Sequence, residues 1–369
     1  MSSASSVPVR AEHDADGLSV WLGDQTSPVV LPWLWVRDHS QDPATFDAAT
    51  QQRNIDTFAI PAGASADDVS IYGAQVRVRW LDGAPDSVLP AGLLAEMAGL
   101  GRTDPRTAWS DPESCGVAPL EYEELISGEA GILRWLESVE RWGYGVVSGA
   151  PCDLAGAAKL AECVGYVRRT IFGDVWRLSS DEVGHADSAY SHTFLEPHSD
   201  GSYSVDGPGL QLFACSERTG TGGESVLVDG FAAAELLRER TPEAFQLLSE
   251  VSVPAHYIED GVELHARRPT IRLDGNGRVE QVTFNNYDRS PFLLPPKQMA
   301  AWYEAYAEFR SIFIDESRWM KARLEPGDAL LFDNWRCLHG RMAYTGTRVF
   351  HGCYFNHEDF ESRLRTLRH

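Results

Sequence analysis

Pro197-His-Ser-Asp-Gly201 places an imidazole at 198 and a carboxylate at 200, two residues apart. In an extended chain residues i and i+2 point to the same face, so His198 and Asp200 can turn inward together. A third ligand stands far downstream in Phe332-Asp-Asn-Trp-Arg-Cys-Leu-His-Gly-Arg341, where His339 follows a buried apolar run and a polar turn. Two imidazoles and one carboxylate can hold a ferrous ion on one face and leave its other positions open. A bare His-x-Asp arises by chance in many chains. Three ligands, each where a strand is expected to meet a turn, do not. The remaining histidines (His13, His39, His185, His192, His256, His265, His351, His357 and His369) fit no second set.

Ligands carried on strands call for a β-rich fold, and the flanking sequence supplies one. Leu210–Phe213, Ser225–Val228, Gln281–Phe284 and Ala329–Phe332 read as short strands, as does Tyr144–Val147. Helical spacing marks Glu129–Arg141, ending near Gly143, then Leu154–Val164 and about Met299–Phe313. Widely spaced strands with a few helices outside them predict a mainly β protein with flanking helices, its catalytic domain a double-stranded β-helix (jelly roll). No Gly-rich loop follows a strand, so dinucleotide and P-loop folds are excluded.

Residues 1–100 are read as a small β-rich N-terminal accessory domain. Leu18–Leu22 and Val76–Trp80 alternate apolar and polar residues, the latter before an Asp82-Gly83 turn, and Leu89–Met97 reads as a helix. Residues 101–118 lack periodicity and are expected to be a linker. The catalytic domain then occupies 119–369.

Composition narrows the partners. A chain of 369 residues with 43% hydrophobic and 10% aromatic residues has ample material for a core. Its net charge of −22 opposes binding to nucleic acid or anionic membranes and mildly favours cationic ligands. No apolar run is long enough to span a bilayer, which takes roughly 18 residues. The first residues show neither a secretory nor an Arg-rich transit pattern, and the six cysteines have no CxxC spacing. The expected location is cytoplasmic.

From about residue 119 to the end, the chain resembles the 2-oxoglutarate-dependent dioxygenases of the taurine dioxygenase class, and within it the γ-butyrobetaine and trimethyllysine hydroxylases. The likeness is carried by Pro197–Gly201, Thr219-Gly-Thr-Gly-Gly-Glu-Ser225, Val228-Asp-Gly-Phe231, Phe284-Asn-Asn-Tyr-Asp-Arg289, Phe332–Arg341, Tyr344-Thr-Gly-Thr-Arg348 and Gly352-Cys-Tyr354. Leu31-Pro-Trp-Leu-Trp-Val-Arg-Asp38 is similar to that subfamily's first domain. The resemblance implies iron held by His198, Asp200 and His339, with 2-oxoglutarate and O2 as co-substrates. Halogenating relatives carry a small residue at the carboxylate position, so Asp200 implies hydroxylation. Arg348 would meet the far carboxylate of 2-oxoglutarate through a bidentate fork, helped by Ser225. Arg336 and Arg341 are read as structural or surface ion-pair residues.

A small trimethylammonium substrate follows from the same likeness. Phe172, Trp176, Tyr190 and Tyr354 match the aromatic cage of the butyrobetaine hydroxylases, where π faces attract a weakly hydrated cation. Asn285, Asn286, Arg289 and Tyr203 are candidates for the substrate's other end. Asp187, aspartate in the trimethyllysine branch, would suit an ammonium there. Trimethyllysine, γ-butyrobetaine and a short trimethylammonio-phosphonate all remain open. The subfamily's first domain often holds a Cys3His zinc, but Arg37–Thr50 offers only His39, so no structural zinc is expected. Its own core, docking or dimerisation must then stabilise that domain, and a homodimer is expected. Two competing readings are a non-catalytic quaternary-ammonium binding protein on the same fold and a zinc hydrolase using the same triad.

Overall fold

The computed structural model describes residues 7–100, 104–179 and 192–369. The chain divides into two compact units, Met1–Asp104 and Pro105–His369.

The first unit holds two antiparallel three-stranded sheets. Pro8–His13, Gly17–Leu22 and Val29–Pro32 form one, and Ala66–Tyr72, Gln75–Trp80 and Ser87–Pro90 the other. The alternation read from the sequence decides which side faces in: Leu18, Val20, Leu22, Val76, Val78 and Trp80 are buried in one core, while Arg77 and Arg79 face water. Each such side chain removed from water contributes about 1.5–3 kcal/mol. The helix expected from Leu89 begins later, at Ala91, because Ser87–Pro90 pairs with Gln75–Val78 and extended Pro90 caps the helix. In the Arg37–Thr50 loop, the half-buried Asp38 carboxylate accepts hydrogen bonds from Arg53 and Thr57. His39 stacks on Trp35 with ring centroids 4.4 Å apart.

The second unit is a sandwich of two sheets. The larger has the strand order Val167–Arg168, Arg348–Phe355, Leu210–Arg218, Ala329–Asp333, Tyr144–Ser148, Leu120–Glu121, with Trp176–Ser179 also paired to Arg348–Phe355. The smaller runs Leu195–His198, Cys337–Arg341, Ser225–Asp229, Met320–Ala322. Consecutive neighbours are remote in sequence, as in a jelly roll. The two-residue period sorts the larger sheet's side chains. Leu210, Leu212, Leu331, Cys353 and Phe355 join a core with the helices Glu129–Trp142, Leu154–Val164 and His357–Leu367. Their neighbours Gln211, Phe213, Leu330, Phe332 and Tyr354 point the other way and line a cleft. The smaller sheet is backed by Gly230–Arg240, Pro242–Glu250 and Pro296–Phe313.

Two expectations are corrected here. The strand read over Gln281–Phe284 is Val279–Val282, paired with Ile271–Leu273. The expected linker is packed structure from Pro105 onward: Trp109 is 3% exposed, and its indole donates to the Trp142 carbonyl at 2.7 Å. Its backbone N–H donates to Asp229 at 3.0 Å. Arg336, buried at 2% exposure, donates to Asp229 at 2.8 Å and to the carbonyls of Thr107 at 2.6 Å and Arg141 at 3.0 Å. Arg336 is thus the structural ion-pair residue, and it satisfies an aperiodic segment that has no ladder of its own.

Candidate metal and co-substrate site

His198 and His339 are opposite each other in the register of adjacent strands, Leu195–His198 and Cys337–Arg341. Their ring centroids lie 4.5 Å apart. Asp200 sits just past the first strand, in a bend that Gly201 completes at φ +68°. Its inward direction therefore depends on Asn334 and not on strand alternation. The Asn334 carboxamide accepts the Asp200 N–H at 2.9 Å and donates to the Asp200 carbonyl at 3.2 Å and the Pro208 carbonyl at 2.8 Å. Asp200 Oδ1 is 3.4 Å from His198 Nε2, and Oδ2 is 3.6 Å from His339 Nε2.

The donor set fits a metal ion. One ligand atom from each of His198, Asp200 and His339 lies within 4.8 Å of the others. His198 Nδ1 sits 2.8 Å from the Glu196 carbonyl; donating there fixes the tautomer that leaves the Nε2 lone pair free. Burial pushes His339 down to about 3, against the attraction of Asp200, so its imidazole is neutral and able to coordinate. Burial also opposes ionisation of Asp200, but the His339 and His198 imidazoles and the Tyr354 hydroxyl outweigh it and keep the carboxyl below its ordinary range. Two imidazoles and one carboxylate are the set that suits ferrous iron.

Further into the cleft, Arg348 is 7% exposed, donates to Ser225 Oγ at 3.3 Å and lies 3.9 Å over the Phe350 ring. Burial, reinforced by Arg341, pushes Arg348 down to about 9, which still leaves it charged at neutral pH. Among the described residues no carboxylate pairs with it. A buried cation in that state calls for an anionic ligand. Arg341 also lines the cleft, donating to the Thr193 carbonyl at 3.0 Å.

Three of the four expected cage aromatics meet. Phe172, Trp176 and Tyr354 line the cleft that holds the triad, with Trp176 5.5 Å from Tyr354 and 6.4 Å from Phe172. Tyr190 and Asp187 lie outside the described residues. Tyr203 lines the same cleft, and its ring packs 4.8 Å from Tyr257. Asn285 is also a wall residue, but its carboxamide is occupied by its own turn: Oδ1 accepts from Tyr287 and Asp288 N–H, and Nδ2 donates to Asp288 at 2.9 Å. Asn286 and Arg289 are not brought into the cleft. Asn286 is exposed and accepts from Arg289, whose guanidinium lies over Trp302, Tyr303 and Tyr306. The sequence reading passed over Gln211, Phe213, Tyr287 and Asp288, all wall residues, and Asn334 behind Asp200. Strand alternation around Leu212 was the one available signal for Gln211 and Phe213.

Residues 110–354 match the taurine catabolism dioxygenase TauD, TfdA family. The chain is 30% identical to the trimethyllysine dioxygenase of Meyerozyma guilliermondii, covering 97% of this chain and 95% of that one. It is 30% identical to the mitochondrial trimethyllysine dioxygenase of Homo sapiens, over 91% of this chain and 82% of the relative. The gamma-butyrobetaine dioxygenase of Homo sapiens is 31% identical over 68% of this chain and 66% of its own length.

Proposed function

This chain belongs to the taurine catabolism dioxygenase TauD, TfdA family and is a 2-oxoglutarate-dependent dioxygenase, and from that premise we propose that it hydroxylates a C–H bond of a small trimethylammonium compound, trimethyllysine first. The observation that carries the substrate class is the aromatic wall of Phe172, Trp176 and Tyr354 in the same cleft as His198, Asp200 and His339. π faces suit a cation with no N–H to donate. The likeness to trimethyllysine dioxygenases over nearly the whole chain supports the choice of trimethyllysine.

In this reading His198, Asp200 and His339 hold iron, and Arg348 with Ser225 receives the far carboxylate of 2-oxoglutarate. Iron with 2-oxoglutarate and O2 supplies the oxygen atom inserted into the C–H bond, with succinate and CO2 released. The chain's own residues supply position. Arg348 provides charge for which no carboxylate competes among the described residues, and the cage fixes the cationic end so that its distance from the triad selects the carbon. Leu178, Phe213, Leu330 and Phe332 restrict water around the reacting atoms. The expected homodimer and cytoplasmic location belong to the same reading, and sedimentation equilibrium of the purified chain tests the first. Among the described residues, no helix is long and apolar enough to cross a membrane.

The test is an anaerobic titration of the protein with Fe(II) and 2-oxoglutarate, followed by trimethyllysine, γ-butyrobetaine or a trimethylammonio-ethylphosphonate. A charge-transfer band that trimethyllysine perturbs, with succinate formed on admitting O2, is expected. No response to any of the three would sink the substrate assignment. Gly352→Ala gives a sharper check of the cage. A Cβ on Gly352 would sit 2.2 Å from the six-membered ring of Trp176 and must displace it. Trimethyllysine affinity is expected to fall about 10-fold, roughly 1.4 kcal/mol, within the range of a desolvated cation–π contact. Calorimetry measures the affinity, and near-UV circular dichroism reports the indole. Unchanged affinity with a displaced indole would remove Trp176 from the cage.

A further inference from the structure

We propose that Tyr354 is a positioning residue for Asp200, and that through it the metal ligand senses whether the aromatic cage holds a cation. The inference rests on the proposed reading of the triad as the iron site and of the aromatic wall as the cage. It adds a link between the two.

The Tyr354 ring is a cleft wall 5.5 Å from Trp176, but its hydroxyl is directed at Asp200 Oδ2, 2.8 Å away. Gln211 shows which way the proton points. Gln211 and Tyr354 are register partners on adjacent strands, and Gln211 Nε2 lies 3.4 Å from the phenolic oxygen. A carboxamide N–H can only donate and an ionised carboxylate can only accept. The phenol therefore accepts from Gln211 and gives its single proton to Asp200. Both side chains are buried, Gln211 at 1% and Tyr354 at 6% exposure, so water competes little for these bonds.

The backbone makes that hydrogen bond consequential. Asn334 holds the Asp200 N–H and carbonyl together, so rotation of the carboxylate about its side-chain bonds is the freedom that remains. Tyr354 limits that rotation. A cation resting on the Tyr354 π face withdraws electron density from the phenol and makes its O–H a stronger donor. Asp200 is then held more tightly in the one orientation that faces the other two ligands, and electron density at Oδ2 shifts toward the phenol. An outer partner of this kind typically changes metal affinity 10–100-fold when removed. Here it would also couple to substrate, because the same ring belongs to both sites.

Tyr354→Phe separates the roles, since it keeps the π face and removes the donor. The full-length protein is titrated anaerobically with Fe(II), then 2-oxoglutarate, then trimethyllysine. In the variant, Fe(II) affinity is expected to fall about 10-fold, and the trimethyllysine-induced shift of the charge-transfer band to less than half its wild-type size. Trimethyllysine affinity should change less than about 3-fold, because the cation–π surface is intact. Fe(II) affinity and band shift both unchanged would overturn the proposal and leave Tyr354 as a wall. A loss of trimethyllysine affinity as large as the loss of Fe(II) affinity would overturn it too, as a general collapse of the cleft. Gln211→Leu leaves the phenol in place and frees its orientation; a smaller loss of the same band shift is expected, and no loss counts against the proposal even if Tyr354→Phe fails to fold. Failure of the wild type to form the band at all would strike the underlying iron reading instead.

Discussion

Replacing His339 by alanine is expected to lower Fe(II) affinity by more than about 100-fold, beyond what loss of an outer-shell partner produces, and to reduce turnover to background. In the proposed iron site His339 is one of three ligands, and its ligand atom lies within 4.8 Å of those of the other two. It pairs in register with His198, and its Nε2 lies 3.6 Å from Asp200 Oδ2. Burial keeps the imidazole neutral, so no proton must leave before metal binds. The fold should survive. His339 lies mid-strand, and its backbone pairing with Leu227 is independent of the side chain. Losing the ring should cost stability only as a small cavity, roughly 1–3 kcal/mol. Equilibrium dialysis with Fe(II) or Co(II) measures binding, and thermal melting checks folding. A folded His339→Ala protein that binds Fe(II) within about 3-fold of wild type would displace the metal from this triad. Arg348→Leu makes the informative contrast: the same dialysis should show iron binding retained, while the KM for 2-oxoglutarate rises.

The second large effect is on stability. Asp229→Ala is expected to destabilise the second unit by about 3–5 kcal/mol, the usual cost of stranding one partner of a buried pair. Burial disfavours charge on Arg336, yet Asp229 2.8 Å away more than offsets it and holds the guanidinium protonated. Removing Asp229 leaves that cation 2% exposed without its carboxylate partner, held by the carbonyls of Thr107 and Arg141. Asp229 also caps the Gly230–Arg240 helix through the N–H groups of Phe231 and Ala232 and anchors Trp109. At roughly 2–4 °C per kcal/mol for a unit of this size, the melting temperature should drop on the order of 10 °C. The double variant Asp229→Ala/Arg336→Met should lose less than the sum of the two single losses, because neither charge is then stranded. Thermal and urea unfolding followed by circular dichroism would decide the matter; a loss below about 1 kcal/mol for Asp229→Ala would contradict the role assigned to the pair.

These two sites differ in how readily they can be read from the chain. Histidine and aspartate types, their two-residue spacing and the distant Phe332–Arg341 motif already point to a ferrous triad, because coordination chemistry restricts which side chains can serve. The same holds for the alternation of Leu18–Leu22 and Val76–Trp80, where the strand's period of two decides what faces inward. Arg336 shows the opposite. Its position in the motif is compatible with surface or core, and only the packing of residues 105–109 against it makes it a buried anchor. Asn286 and Arg289 sit in a stretch that matches a substrate motif, yet Asn286 is exposed and Arg289 lies over the aromatics of the Pro296–Phe313 helix.

The sequence by itself determined the ligand chemistry and the strand-rich class, which follow from residue type and short-range periodicity, while the aromatic character of the pocket came from the resemblance to the butyrobetaine hydroxylases. Tertiary structure alone decided that Asn334 clamps Asp200, that Gln211 meets Tyr354, and that the Tyr354 ring lines the cleft while its hydroxyl reaches Asp200. Those contacts join residues separated by 134, 143 and 154 positions. They arise where strands and the turns between them are brought together from distant parts of the chain. A one-residue slip between Leu210–Arg218 and Arg348–Phe355 would turn Gln211 or Tyr354 to the opposite face, and nothing local in the sequence specifies that register.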